Sequence, residues 1–121
     1  MRWFLIALAL TNPAHAQSLT GPADRVIDGD TFVMQGETIR LWGIDAPELP
    51  SQDGYNAMAF LKALLNNQTL TCQIPPSGQD RDRYDIRLRQ CFIDNVDVAE
   101  ILVGSGLAED WPRDSGGYYG E

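Results

Sequence analysis

Histidine occurs once in the 121 residues, at His15, and lysine once, at Lys62. His15 falls inside the opening stretch "MRWFLIALALTNPAHA", which has one positive charge at Arg2, an apolar run from Trp3 to Leu10 and the small-x-small ending Ala14-His15-Ala16. That is the layout of a secretory signal over residues 1–16, cut before Gln17. An uncleaved anchor is the alternative, but so short a run covers about 12 Å, against the roughly 30 Å core that a spanning helix crosses. Cleavage predicts a periplasmic or secreted protein with no stable membrane anchor and no histidine. Without histidine there is no Ser-His-Asp triad, no His-ligated zinc and no imidazole acid–base pair. A catalyst of this composition is left with carboxylates, arginines, tyrosine and a metal.

Positive charge is scarce as well: 9 basic side chains stand against 17 acidic ones, a net charge of −8. Loss of Arg2 with the leader makes the mature chain more negative still, which opposes non-specific capture of nucleic acid or anionic membrane. The remaining residues, 17–121, suffice for one domain with one core. Of the two cysteines, Cys72 and Cys91, each lies in an apolar, strand-like stretch of a chain bound for an oxidising compartment. A disulfide is the economical reading, and two buried thiols the alternative, since sequence does not fix their separation.

Residues 25–45 alternate in the strand manner: "RVIDGDTFVMQ" reads as a bent strand, Gly36-Glu37 as a turn and "TIRLWGID" as its hairpin partner. From Tyr55 to Asn66, apolar Met58, Leu61, Leu64 and Leu65 predict a helix with one buried face. "QTLTCQI" is a strand, "PPSGQDRD" an exposed loop, and Tyr84 to Ile93 a long strand-like run in which "RLRQCFI" alternates poorly. Val98, Ile101 and Leu102 stripe a second helix that stops at Gly104 to Gly106. The order of three strands, helix, two strands, helix predicts a mainly β protein, an OB-like five-stranded barrel.

"VIDGDT" and "IDAPE" gather Asp28, Asp30, Asp45 and Glu48 around Arg40. Asp-Gly-Asp alone is also what a tight turn selects. Asp30, however, enters one strand and Asp45 leaves its hairpin partner, so the two acids converge at one end of the sheet. Hard oxygen ligands of this kind suit Ca2+. A phosphodiester would be repelled there unless a cation lay between and Arg40 offered its planar fork to the phosphate oxygens. Glu48 is then placed to orient or deprotonate a water. The plainer alternative is Arg40 in a salt bridge with an acid, with a structural calcium or no metal.

"VIDGDTF", "IRLWGIDAPE", "DRY" and "VDVAEILVGSGLAE", spread from about Arg25 to Trp111, resemble in order and spacing the landmarks of the staphylococcal nuclease (thermonuclease-like) family. The resemblance implies an OB-fold and a calcium-dependent phosphodiesterase that hydrolyses the 5′ P–O bond of DNA and RNA. By position it makes Asp30 and Asp45 calcium ligands, the Ala46 carbonyl a third, Glu48 the general base and Arg40 a phosphate clamp. Tyr84 falls near the nucleotide, and Trp111 where an aromatic could stack on a base. The family's second arginine follows Tyr-Gly, whereas this chain reads Tyr84-Asp85-Ile86 and has Arg87 one residue late. In a strand that offset turns a side chain to the other face unless a bulge restores it. The ending "SGGYYGE" stands where the pattern runs into a third helix, so two helices are expected, with the C-terminal one missing.

Two functions follow. One is an exported, monomeric, calcium-dependent nuclease acting on single-stranded DNA or RNA, with Arg40, Glu48 and Arg87 catalytic and activity weakened if Arg87 cannot reach the phosphate. The other is a catalytically impaired calcium-binding module that holds nucleotides, oligosaccharide or a protein partner on the same face. Arg81, Arg83, Arg87 and Arg89 read either as a local basic ribbon partly offset by Asp80, Asp82 and Asp85, or as a solvated loop and strand edge of mixed charge.

Overall fold

A computed structural model describes residues 18–120; the leader read over residues 1–16 lies outside the described residues. Strands β1 (Leu19–Gly21), β2 (Arg25–Asp28), β3 (Thr31–Met34), β4 (Glu37–Leu41) and β5 (Ile44–Asp45) precede helix α1 (Gln52–Leu65). Strands β6 (Leu70–Gln73), β7 (Arg87–Ile93) and β8 (Val96–Asp97) lead to α2 (Val98–Gly104), and β9 (Glu109–Asp110) to α3 (Pro112–Ser115). The main sheet runs β1-β6-β7-β4-β3-β2, with β8 on β7, and β5 pairs separately with β9. Only β4 and β7 run parallel within it among the described residues. The result is mostly β, a curled half-barrel with three helices that agrees with the expected OB-fold.

Two features correct the sequence reading. Residues 25–35 are not one bent strand: the chain reverses at Gly29-Asp30 and β2 pairs antiparallel with β3, with a register shift between Val26 and Asp28. The Asp-Gly-Asp motif is thus the turn of a hairpin, and it presents Asp30 at the hairpin's end. A third helix is also present at the C-terminal end, the single turn Pro112–Ser115. It goes no further because Gly116 and Gly117 follow at φ 64° and 93°, backbone that ends a helix.

Phe32, Met34, Ile39, Leu41, Trp42 and Ile44 fill the core from the sheet, against Ala57, Leu61 and Leu65 of α1 and Val98, Ala99 and Leu102 of α2. The buried stripe of α1 is Gly54, Ala57, Leu61 and Leu65, so Met58 and Leu64 stand at its margin. Small residues occupy the first half of the stripe because the backbone there comes close. A Cβ on Gly29 would lie 2.6 Å from the Ala57 methyl and 2.9 Å from that of Ala46. Ser51 caps α1, its Oγ accepting from the Gly54 N–H at 3.0 Å. Cys72 and Cys91 sit directly opposite each other on β6 and β7 and form the expected disulfide.

The β7 run alternates poorly because both of its faces are covered: Leu88, Arg89, Gln90 and Cys91 are all buried. Buried Arg89 has Nη1 2.8 Å from Asp80 Oδ1. Buried Gln90 donates to Asp97 Oδ2 at 2.9 Å. Beyond α3, Tyr118 and Tyr119 meet Trp42 edge-on, with centroids 5.4 and 5.9 Å away. Of the two, Tyr119 is buried and closes the core on this side, while Tyr118 stays exposed.

Candidate active site

Asp30 is held from three sides. Its carbonyl accepts from the Leu41 N–H at 2.9 Å, Oδ2 from the Ala46 N–H at 3.0 Å and Oδ1 from the Thr31 hydroxyl at 2.9 Å. These bonds tie the β2–β3 turn to the end of β4 and the start of the "APE" segment, so distant stretches of sequence meet at one carboxylate. Arg40, abreast of Thr31 on β4, brings Nη2 to 3.5 Å from Asp30 Oδ2, 3.4 Å from Asp45 Oδ1 and 3.3 Å from the Ile44 carbonyl. One guanidinium nitrogen therefore serves two acids, and the remainder of the fork makes no hydrogen bond among the described residues.

Asp30 is almost fully buried, and Asp28 lies beside it, with Oδ1 accepting the Asp30 N–H at 3.1 Å. Burial first, then the neighbouring Asp28, push the Asp30 carboxyl up to about 7, against the pull of Arg40 and the Ala46 N–H. A desolvated carboxylate that one half-exposed arginine does not balance is a place where added positive charge is stabilising. Among the described residues no three His, Cys, Asp or Glu side chains converge as a ready-made cage. Two carboxylates with a main-chain carbonyl nearby make an oxygen-only donor set that leaves positions to water. This set fits a hard divalent cation such as calcium and does not fit zinc.

Arg40, Asp45 and Glu48 open into a cleft of about 470 Å³. Its other wall comes from the hairpin after β6, through Gln79, Asp82, Arg83 and Tyr84, and from the C-terminal segment, through Trp111, Arg113 and Asp114. Tyr84 is 71% exposed and Trp111 40%, large surfaces for aromatic rings to leave in water. Trp111 is held where its N–H donates to the Gly43 carbonyl at 2.8 Å, next to the β5–β9 pair that carries Asp45. On the far side of Asp45 and Glu48 a second hollow of about 440 Å³ is lined by Asp53 and Glu109 and by no arginine or lysine. Arg40, Arg83 and Arg113 all line the first cleft and none lines the second.

Asp30, Asp45, Ala46, Arg40, Glu48, Tyr84 and Trp111 are therefore assembled around one end of the sheet, and Arg87 is not among them. Arg87 pairs with Ile39, Leu88 with Arg40, and the β4–β7 register continues without a shift to Leu41. No bulge restores the offset. Arg87 Nε donates to Glu37 Oε1 at 2.9 Å, and Glu37 lies three residues before Arg40 on β4, so it faces the opposite side of the strand. This regular pairing leaves Arg87 beside Glu37 and Asp80. Sequence reasoning also passed over Arg83 and Arg113 as cleft residues. Arg83 was legible only as one member of a charged loop, and nothing in the local pattern singled out Arg113.

Residues 38–116 match the family described as staphylococcal nuclease homologue. The succinoglycan biosynthesis protein ExoI of Rhizobium meliloti (strain 1021) is 34% identical over 128 residues, covering 95% of this chain and 64% of that protein. An uncharacterized endonuclease of Escherichia coli O157:H7 is 32% identical over 109 residues, covering 86% of this chain and 69% of the relative. Endonuclease YncB of Bacillus subtilis (strain 168) is 32% identical over 95 residues, 70% of this chain and 44% of the relative. The chain thus spans less than two thirds of the length of two of these three relatives. The match covers the greater part of the described fold and includes Arg40, Asp45, Ala46 and Glu48, and the chain belongs to the staphylococcal nuclease homologue family.

Proposed function

We propose that the protein is an exported, calcium-dependent nuclease that hydrolyses phosphodiester bonds of single-stranded DNA or RNA as a monomer. The observation that carries this reading is the sharing of one Arg40 nitrogen by Asp30 and Asp45 at the mouth of a cleft that Glu48 also lines. Asp30, Asp45 and the Ala46 carbonyl would hold calcium, which when bound offsets the charge of the phosphate and makes a nearby water more acidic.

The chain's own residues account for the rest. Arg40 turns the unengaged part of its fork to two phosphate oxygens. Glu48, exposed at the cleft, takes the proton of the attacking water as its oxygen bonds to phosphorus. The bond from phosphorus to the 5′ oxygen breaks, that oxygen takes a proton from solvent, and the phosphate stays on the 3′ side. Tyr84 and Trp111 offer ring faces to unpaired bases, which favours single strands over a stacked duplex.

Purified mature protein is incubated with single-stranded DNA in calcium and then in excess chelator. Cleavage that stops on chelation supports the reading. Calcium binding without cleavage leaves the impaired binding module. For export, the intact mass of secreted or periplasmic material should correspond to a chain beginning at or beside Gln17.

A further inference from the structure

We infer that Arg83, at the tip of the hairpin between β6 and β7, is the second phosphate-binding arginine of the cleft, in the role the sequence offers to Arg87. This rests on the phosphodiesterase reading and adds a residue to it.

The four arginines of the ribbon differ in what they already hold. Arg81 donates to the Asp85 carbonyl at 2.9 Å and lies 3.6 Å from its carboxylate and 3.9 Å from that of Asp80. Arg87 is bound to Glu37 and lies 3.8 Å from Asp80. Arg89 is fully buried against Asp80. Arg83 has no ion pair among the described residues; its guanidinium lies over the Tyr84 ring, 5.2 Å from the centroid, and it lines the cleft with Arg40 and Glu48. An exposed arginine on a charged loop is commonly only a solubilising group. Here the neighbouring acids are committed elsewhere, and this cation alone of the four is left facing the site.

The hairpin is built to hold that tip in place. The Asp82 N–H donates to the Ile86 carbonyl at 2.8 Å, and Asp82 Oδ1 accepts from the N–H groups of Tyr84 at 2.8 Å and Ile86 at 2.9 Å. Asp85 adopts φ 67°, which closes the turn. At its base Leu88 N–H donates to the Asp80 carbonyl at 2.9 Å, and the Asp80 carboxylate is anchored on buried Arg89. A guanidinium fixed on such a turn can meet charge growing on a phosphate oxygen opposite Arg40, an arrangement that commonly changes rates by a hundredfold or more. Stacked on Tyr84, it can do so while the ring contacts the adjoining base.

Arg83→Ala, Arg83→Lys, Arg87→Ala and the charge control Lys62→Ala are compared for single-stranded DNA hydrolysis at saturating calcium. Binding of a phosphorothioate (dT)8 oligonucleotide is followed in parallel by tryptophan fluorescence. Arg83→Ala should lower kcat/KM at least a hundredfold and weaken oligonucleotide binding about tenfold, with the melting temperature and calcium affinity of wild type. Arg83→Lys should recover part of the loss, because a point charge replaces a fork. An Arg83→Ala rate within threefold of wild type, with Arg87→Ala a hundredfold down, overturns the assignment. If wild type does not cleave at all, the nuclease reading fails by itself, and oligonucleotide binding decides on Arg83: a tenfold loss sustains it and unchanged affinity overturns it.

Discussion

Tyr119 donates a 2.7 Å hydrogen bond to Asp97, 22 positions earlier in the chain. The same carboxylate oxygen accepts from Gln90, and its other oxygen caps α2 by accepting from the Ala99 N–H at 2.9 Å. Burial first, then the Asp97 carboxylate, hold the Tyr119 hydroxyl far above the usual tyrosine range, so it remains a donor at any working pH. Tyr119→Phe keeps the ring against Trp42 and removes only this donor. Asp97 retains two partners, so the expected loss is about 1–3 kcal/mol, seen as a lower urea midpoint with unchanged slope. An unchanged midpoint would detach the C-terminal segment from the cooperative fold.

Gly29 is needed for closeness to α1. Gly29→Ala sets a methyl against Ala57 and Ala46, and the helix must yield or the turn must open, at about 1–3 kcal/mol. Because Asp30 and Ala46 flank that contact, calcium affinity should fall with stability. Ala57→Gly added to it should recover part of the stability by making room, less the roughly 1 kcal/mol that glycine costs a helix interior. A double variant no better than the sum of the singles would show that the two positions are uncoupled.

The half-barrel was legible where local pattern and tertiary burial agree, as in the alternation through Ile39 and Leu41, the stop of α2 at its glycines and the pairing of Cys72 with Cys91. Asp30 and Asp45 could be expected near Arg40 because each sits at a strand end, and Glu48, three residues on, lines the same cleft. Hidden residues were those fixed by long-range partners. Arg89 and Gln90 look like surface residues of a strand until Asp80 and Asp97 are seen to cover them. Tyr119 sits in a glycine-rich stretch with no period, and only its contacts with Trp42 and Asp97 explain its burial. Arg87 could be judged only from the register of β7 against β4, which no local pattern specifies.

Arg89 and Asp80 form the ion pair at the base of the cleft hairpin. Asp80→Ala removes a carboxylate 2.8 Å from a fully buried guanidinium and should cost about 3–5 kcal/mol. Limited proteolysis should then cut within residues 76–86 before the rest of the fold opens. Arg89→Met combined with Asp80→Ala should recover much of the stability, since an apolar side chain of similar length needs no counter-charge, but should not restore the hairpin. Hairpin cleavage at the wild-type rate in the Asp80→Ala protein would mean that the loop is held by its backbone bonds alone.

Asp30 allows the proposed calcium binding to be separated from stability. Its carboxyl is pushed up to about 7 from an ordinary 3.8, so the folded state binds this proton more tightly than the unfolded chain does. The stability contributed by this group is therefore whole below pH 4 and drains away as the pH climbs towards 7, where a buried carboxylate must ionise beside Asp28. Asp30→Asn retains an oxygen to accept the Ala46 N–H and never ionises. In chelator its melting temperature should match wild type near pH 4 and exceed it by several degrees at pH 8. Calcium should raise the melting temperature of wild type at pH 8 by binding the folded state, and should barely move the asparagine variant. Asp45→Asn, at a half-exposed position, should lose the calcium response without the gain in chelator, because it relieves no burial. Glu48→Gln should keep the calcium response and lose cleavage, because the part proposed for Glu48 is to take a proton from water. Thermal melts of the four proteins at both pH values, with and without calcium, check all of this, and an Asp30→Asn protein that responds to calcium as wild type does would send the cation elsewhere.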